Sequence, residues 1–284
     1  MKKLLLKIAA SLVVLLGLLT LNWWKVQQTE KKEADEGVKK KLVALAPEKI
    51  RTIELHGEAG TVVLERRTQD GQGAYTDEFT PFDAESALPS AWIVAKPYRD
   101  LADPSLVTAL MDGVTALESV KTIQEQGADA ATYGLDHPSF QIKLDTGTDT
   151  TWIKIGKQNS SGAYYYAQSS TSPRIVLVEK NIEYNAKKDA QEWREKKVLQ
   201  YKNLAAVDTV RVNYAGKLGR YAFVKTGDDW KMTEPKALPA QGMAVEGIVR
   251  TIHTTMMKSI ASENKARDAA KYGLDRPWLE VVTG

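Results

Sequence analysis

The chain has 284 residues, enough for about two domains, and its 43% hydrophobic content is sufficient for real cores. Its 39 basic and 36 acidic residues leave a net charge of only +3, which excludes the electrostatic footprint of a nucleic-acid binder. Cysteine is absent, so disulfides, thiol nucleophiles, Cys-based zinc sites and a Cys-linked N-terminal lipid are excluded as well.

Residues 1–24 read as a transmembrane signal anchor. Lys2 and Lys3 precede Leu4, Leu5 and Leu6, and the run from Ile8 to Leu21 carries no charge before Trp23 and Trp24. As a helix, Leu4 to Trp24 would span about 31 Å, a bilayer core, with Lys7 snorkelling to the surface and the tandem Trp at an interface. No Ala-x-Ala-like cleavage site follows, so the anchor is expected to stay attached, with the folded part in the periplasm, outside the inner membrane. Residues 25–44, with Lys39, Lys40 and Lys41, read as a charged juxtamembrane linker.

The first predicted α+β repeat covers 45–180. Ile50 to Leu55 and Thr61 to Glu65 suggest a hairpin, and Trp92 to Pro97 a third strand after a loop from Gly71 to Pro89. Asp103 as N-cap and Pro104 in the first turn begin a helix whose stripe is Leu106, Leu110, Val114 and Leu117, flanked by Val107 and Met111. Short Gly-containing turns then separate Phe140 to Leu144, Thr151 to Ile155, Ala163 to Ala167 and Arg174 to Val178, the pattern of an antiparallel meander. Residues 181–202 read as a connecting helix.

Residues 203–284 repeat the first unit. Val207, Val210 and Val212 echo Ile50, Ile53 and Leu55, while Trp230 and Pro235 echo Trp92 and Pro97; the offset changes between them, which makes the Gly71 to Pro89 loop an insertion. Val245, Ile248, Val249, Ile252 and Met256 repeat the helix stripe. The clearest mark is a motif that occurs twice, as Tyr133, Gly134, Leu135, Asp136 and Pro138, and 139 positions later as Tyr272, Gly273, Leu274, Asp275 and Pro277. Each copy follows an Ala-rich run and precedes an apolar stretch. It reads as a Schellman-type helix stop, with glycine left-handed, leucine folded back, aspartate in the turn and proline forbidding more helix. The expected fold is thus α+β: a transmembrane helix, then a duplicated domain of antiparallel sheet with packed helices. The second copy lacks about three strands, as a truncated version of a longer protein would.

Chemistry is sparse. His56, His137 and His253 have no second His at metal-ligand spacing, and His137 is replaced by Arg276 in the second motif, so no metal site is expected. Gly71-Gln72-Gly73 lacks the third Gly and the setting of a dinucleotide fingerprint, and neither a nucleophile elbow nor a P-loop is present. Asp136 and Asp275 fit turns better than paired acid-base work. No catalytic, cofactor-binding or metal-ligating residue is therefore assigned, and no cofactor is expected. Trp152 with Tyr164, Tyr165 and Tyr166 is the candidate ligand or partner surface, although ordinary sheet packing also suits these rings.

The tandem motif, the Trp-to-Pro strand before an amphipathic helix, the Ile155-Gly156 turn leading to Tyr164, Tyr165 and Tyr166, and the N-terminal anchor resemble an uncharacterised bacterial domain family of unknown function. The resemblance covers nearly everything from Leu45 onward. Members of that family are often encoded beside, or fused to, gliding-motility-type ABC transporter components, so the resemblance implies a location and a protein partner and brings no catalytic residues. The expectation is a non-catalytic membrane-anchored accessory or scaffold of an ABC-transporter or envelope assembly. Two alternatives stay open, a module binding cell-envelope polysaccharide and an enzyme of unrecognised type.

Overall fold

The computed structural model describes residues 20, 23–24, 40–69, 90–126, 129–199, 201 and 203–284. The expected anchor, apart from Thr20, Trp23 and Trp24, most of the 25–44 linker and the 71–89 loop lie outside the described residues. No helix among the described residues is long and apolar enough to cross a membrane.

Among the described residues the regular structure is mostly antiparallel sheet, in two sheets, with few helices, an α+β composition. It divides into two compact units that alternate along the sequence, 1–60 with 109–187, and 61–108 with 188–284. In chain order the elements are β1 (Thr52–Gly57), β2 (Gly60–Arg66), β3 (Trp92–Lys96), β4 (Asp100–Leu101), α1 (Pro104–Thr115), β5 (Lys121–Gln124), β6 (Phe140–Asp145), β7 (Thr150–Gln158), β8 (Tyr164–Ser169), β9 (Ser172–Glu179) and α2 (Asn181–Ala186). They continue with β10 (Thr209–Tyr214), β11 (Arg220–Thr226), β12 (Asp229–Glu234), β13 (Leu238–Pro239), α3 (Gly242–Thr254), α4 (Lys265–Asp268) and β14 (Leu279–Thr283).

In the unit containing 109–187, β6 to β9 form the meander expected from their short turns, with β1 pairing β6 on one side and β5 pairing β9 on the other. The register places Leu55 opposite Ile142 and Ile142 opposite Ile153. Because side chains alternate along a strand, Ile53, Leu55, Ile142, Leu144, Ile153 and Ile155 share one face, and all are buried. Each such burial contributes roughly 1.5–3 kcal/mol. Strand β5 was not foreseen, since four residues of which three are polar, Lys121, Thr122 and Gln124, carry no apolar alternation worth reading.

Helix α1 begins as its sequence dictates: the Asp103 carboxylate accepts from the backbone N–H of Ser105 at 2.8 Å and of Leu106 at 3.3 Å. Val107, Leu110, Met111 and Val114 form its buried face, whereas Leu106, in the first turn beside the cap, is half-buried.

In the unit containing 188–284, β2, β3 and β4 pair in antiparallel succession. The separate five-stranded sheet has the order β13-β12-β11-β10-β14. Its core gathers Tyr201, Val207, Val210, Val212, Trp230, Val245 and Val249, so the alternating valines of β10 meet the valine stripe of α3.

The connecting helix expected over 181–202 is not formed. Only Asn181–Ala186 is helical, and the chain beyond runs through turns and isolated bridges. Asp189 and Glu192 cross-bond, each side chain accepting from the other's backbone N–H at 2.9 Å. Beyond them the Trp193 carbonyl accepts from Asp103 N and the Glu195 N–H donates to the Leu101 carbonyl, both at 2.8 Å, so the backbone groups a helix would need are committed elsewhere.

The same local geometry recurs along the chain. Ala102 N donates to the Trp92 carbonyl at 3.0 Å, and Ala240 N to the Trp230 carbonyl at 2.9 Å. Val94 faces Asp100 as Met232 faces Leu238, and Leu55 faces Ile142 as Val212 faces Val281. The Lys96-Pro97 and Glu234-Pro235 peptides are both cis.

Candidate functional site

Both repeated motifs make the expected capping bonds, although the first closes turns over 129–134 that are not regular helix, and only the second follows a helical turn, Ala270–Tyr272. Leu135 N donates to the Ala130 carbonyl at 2.9 Å and Gly134 N to the Ala131 carbonyl at 3.0 Å, the two bonds that define a Schellman motif. Leu274 N and Gly273 N make the same bonds to Ala269 and Ala270 at 2.9 and 3.1 Å. Gly134 and Gly273 hold φ of +72° and +71°, the left-handed region that favours glycine. The Asp136 carboxylate accepts from the His137 N–H at 2.9 Å, so it completes the turn, and both Asp136 and Asp275 are exposed.

What surrounds the two corners differs. Strand β7 runs directly against the first: Lys157 N donates to the Tyr133 carbonyl at 2.9 Å, and Ser139 Oγ donates to the Gly156 carbonyl at 2.9 Å. Leu135 is 1% exposed there, whereas Leu274, its counterpart, is 65% exposed, with Trp278 at 72% beside it.

The tyrosine run falls on β8, adjacent to this first corner. Tyr166 packs on Tyr133 with ring centroids 4.6 Å apart, which brings the motif and the aromatic run together. Alternation sends Tyr165 to the buried face, 3% exposed, edge-on to Phe140 at 6.2 Å. Its hydroxyl donates to Glu183 Oε2 at 2.5 Å and accepts from Gln158 Nε2 at 3.0 Å. Hydrogen bonds from Lys187 and then Tyr165 hold the Glu183 carboxyl below its usual range. Burial, with the bond to Glu183, pushes the Tyr165 phenol up. For Lys187 burial is the largest single influence and pulls the ammonium down, but the bond to Glu183 together with the nearby charges of Tyr165 and Glu183 outweighs it, and the net direction is up. Each group is thereby held more firmly in its neutral-pH form, an arrangement that fixes structure and positions no proton for transfer. Tyr164 and Tyr166 are half-buried, and Trp152 is half-buried on the face opposite Ile153 with the Lys154 amine 5.1 Å from its ring. Gln158 faces Tyr165 and Ile153 faces Ser169, so Trp152 lies toward the other end of β7, roughly 13 Å along the strand direction from Tyr166 and roughly 20 Å from Tyr164. The four aromatic residues do not form one surface.

Arg194, which with Arg67 is among the most enclosed charges of the described residues, is one that sequence reasoning missed. Arg194, 5% exposed, binds Asp100 through Nε at 2.6 Å and Glu263 through both terminal nitrogens, with Nη2 at 3.1 Å from Oε2, while its guanidinium carbon lies 4.3 Å from the centre of the Tyr98 ring. Burial lowers the guanidinium pKa, but Glu263 and Asp100 raise it by more, and Arg194 in turn holds the Glu263 carboxyl low. A depression of about 460 Å³ next to it is lined by Glu195, Lys196, Met257 and Ile260 among others. The arginine's donors are spent on the two carboxylates, so the cluster acts as a clamp between 98–100, 194 and 263. No local motif announces such a residue, because its partners lie 94 and 69 positions away.

Among the described residues no group of three or more His, Asp or Glu is arranged to hold a metal ion. His56 pairs with Glu54 at 3.0 Å, His137 is exposed beside Asp136, and His253 accepts from Tyr201 N at 3.3 Å.

The sequence matches the family described as a domain of unknown function (DUF4340), over residues 92–228 and 230–283. The chain belongs to this family. The two DUF4340 stretches open at Trp92 and Trp230, the pair whose carbonyls receive the equivalent bonds from Ala102 and Ala240. No curated protein and no solved structure matches the chain.

Proposed function

We propose that this DUF4340 protein is a non-catalytic accessory or scaffold of a bacterial envelope assembly, held to the inner membrane by residues 1–24 and built by duplication of one α+β unit. An ABC transporter is its partner. The apolar run before Trp23 and Trp24 supports the anchor, and the recurring hydrogen bonds and registers support the duplication. The observation that carries the role is the second corner, which presents Trp278, Leu274 and Tyr272 at 72%, 65% and 44% exposure. Large apolar side chains left in water mark contact surfaces, and a membrane anchor raises the effective concentration of any neighbour that covers them. In-membrane cross-linking of the full-length chain, followed by mass spectrometry of co-purified proteins, tests this reading. Transporter subunits are the expected result, and recovery of no other protein overturns it.

The polysaccharide reading has less support, because Tyr165 is internal and Trp152 stands apart from Tyr164 and Tyr166. Glycan retention lost on replacing Trp152 and Tyr164 by alanine would restore it.

A further inference from the structure

On helix α3, Val249 is turned into the core, and Glu246 and Arg250, one turn apart, stand side by side next to it. The helix runs over Trp230 at the start of β12, which is 4% exposed and stands opposite Lys225 of β11. The approach is close, since a β-carbon on Gly242 would lie 3.4 Å from Trp230 Cδ1. Further along the helix a cavity of about 200 Å³ remains. Leu204, Val207, Trp230 and Val249 give it apolar walls, and Lys225, Glu246 and Arg250 give it charge.

The three charges are not equally committed. Glu246 Oε1 accepts from Lys225 Nζ and from Trp230 Nε1, both at 3.4 Å, and the Lys225 amine also lies 5.8 Å from the centre of the Trp230 ring. Lys225 and Glu246 therefore answer each other. Arg250 is exposed, and its side chain has no hydrogen-bond or ion-pair partner among the described residues. With the other two charges cancelling, it leaves the cavity one net positive charge. A guanidinium with open donors beside apolar walls suits a carboxylate carried on a hydrocarbon body, because the planar fork can hold both carboxylate oxygens at once.

Comparison with the first repeat separates scaffold from site. Arg66 stands opposite Trp92 as Lys225 stands opposite Trp230, with the guanidinium carbon 4.7 Å from the ring centre, and each strand pair shifts register at the corresponding place. Counted from the two tryptophans, Glu246 and Arg250 correspond to Thr108 and Asp112. The cation on the ring is common to both copies, whereas the guanidinium on the helix belongs to the second alone. We infer that the cavity beside Trp230 binds a small monocarboxylate with a short hydrocarbon body, its carboxylate held by Arg250 and its body packed on Trp230, Leu204 and Val249. A volume of about 200 Å³ is the room of roughly seven waters, so the ligand has about six to nine non-hydrogen atoms. The site goes beyond the accessory reading and does not depend on it.

The full-length chain, isotope-labelled at its indole nitrogens, is titrated with isocaproate, and the Trp230 Nε1–H signal is followed by NMR after assignment through its loss in Trp230→Phe. Isocaproamide keeps the body without the charge, isohexylamine reverses the charge, and acetate lacks the body. Isocaproate is expected to give a saturable shift below about 10 mM, and each of the other three to bind at least about fivefold more weakly. Arg250→Gln should weaken isocaproate at least about tenfold, and Arg250→Lys should recover part of the loss. Because Arg250 is exposed, both variants are expected to melt with the parent, so a lost shift reads the site and not the fold. No saturable shift, a control that binds as tightly as isocaproate, or unchanged affinity in Arg250→Gln overturns the assignment. Cross-linking to transporter subunits reads the accessory role separately, so either result can fail without the other.

Discussion

Gly156 lies so close to Tyr133 that a β-carbon on it would stand 2.2 Å from the Tyr133 carbonyl oxygen. The obstruction is backbone, which no rotamer change relieves. Gly156→Ala is therefore expected to lower stability by about 2 kcal/mol through forced separation of β7 from the corner, read as a lower denaturant midpoint with an unchanged slope. Gly134→Ala and Gly273→Ala divide the same question differently. Both glycines hold φ near +70°, but a β-carbon on Gly134 meets Lys157 Cγ at 2.8 Å while one on Gly273 meets nothing within 4 Å. Both variants bear the left-handed penalty of about 1 kcal/mol, and Gly134→Ala should cost measurably more.

The two motif leucines should diverge most. Leu135→Ala removes a side chain 1% exposed and is expected to cost about 2–5 kcal/mol. Leu274→Ala, at 65% exposure, is expected to stay within about 0.5 kcal/mol. Paired chemical denaturation curves check this, and equal losses would show that the second corner is covered in solution.

Arg194 should be the most sensitive charged position. Arg194→Met takes the cation from Asp100, 27% exposed, and Glu263, 53% exposed, and is expected to cost about 1.5–3 kcal/mol, the loss of hydrogen bonds between charged groups. Arg194→Lys should recover only part, since an ammonium cannot bridge two carboxylates with a planar fork. Thermal melts of the three chains measure the order.

The Tyr165, Glu183 and Lys187 cluster has a pH signature. The Glu183 pKa is depressed below 4.5 in the folded state, so its contribution is present above that value and is lost as pH falls through the lower folded one. The Lys187 pKa is raised above 10.5, so its contribution is present below that value and is lost as pH rises through the higher folded one. Glu183→Gln should flatten the acid limb of the stability profile relative to the parent. Tyr165→Phe should cost about 1–2 kcal/mol at neutral pH, the loss of a hydrogen bond to a charged acceptor.

Local chemistry was legible in the sequence, and contacts across the chain were not. Asp103-Pro104 announced the start of α1, and Tyr-Gly-Leu-Asp-x-Pro announced the left-handed glycine corner further along, because both act within a few residues of themselves. The meander was legible because its turns are short and its strands alternate. Residues 181–202 looked like one connecting helix, yet the backbone of Trp193, Glu195 and Val198 bonds to Asp103, Leu101 and Thr255, partners that no window could contain. Arg194 was invisible for the same reason. The tyrosine run was read correctly as a strand, but which ring turned inward depended on the register with β7 and β9.

The apposition of Gly156 and Tyr133 also constrains how this family can vary. Two side chains in contact can trade volume across generations, one shrinking as the other grows. Here one party is a carbonyl oxygen, which every amino acid carries alike, so nothing substituted at position 133 can make room at position 156. Position 156 is thereby held to glycine wherever a strand crosses this corner, while the side chain at position 133 answers to a different neighbour, the Tyr166 ring.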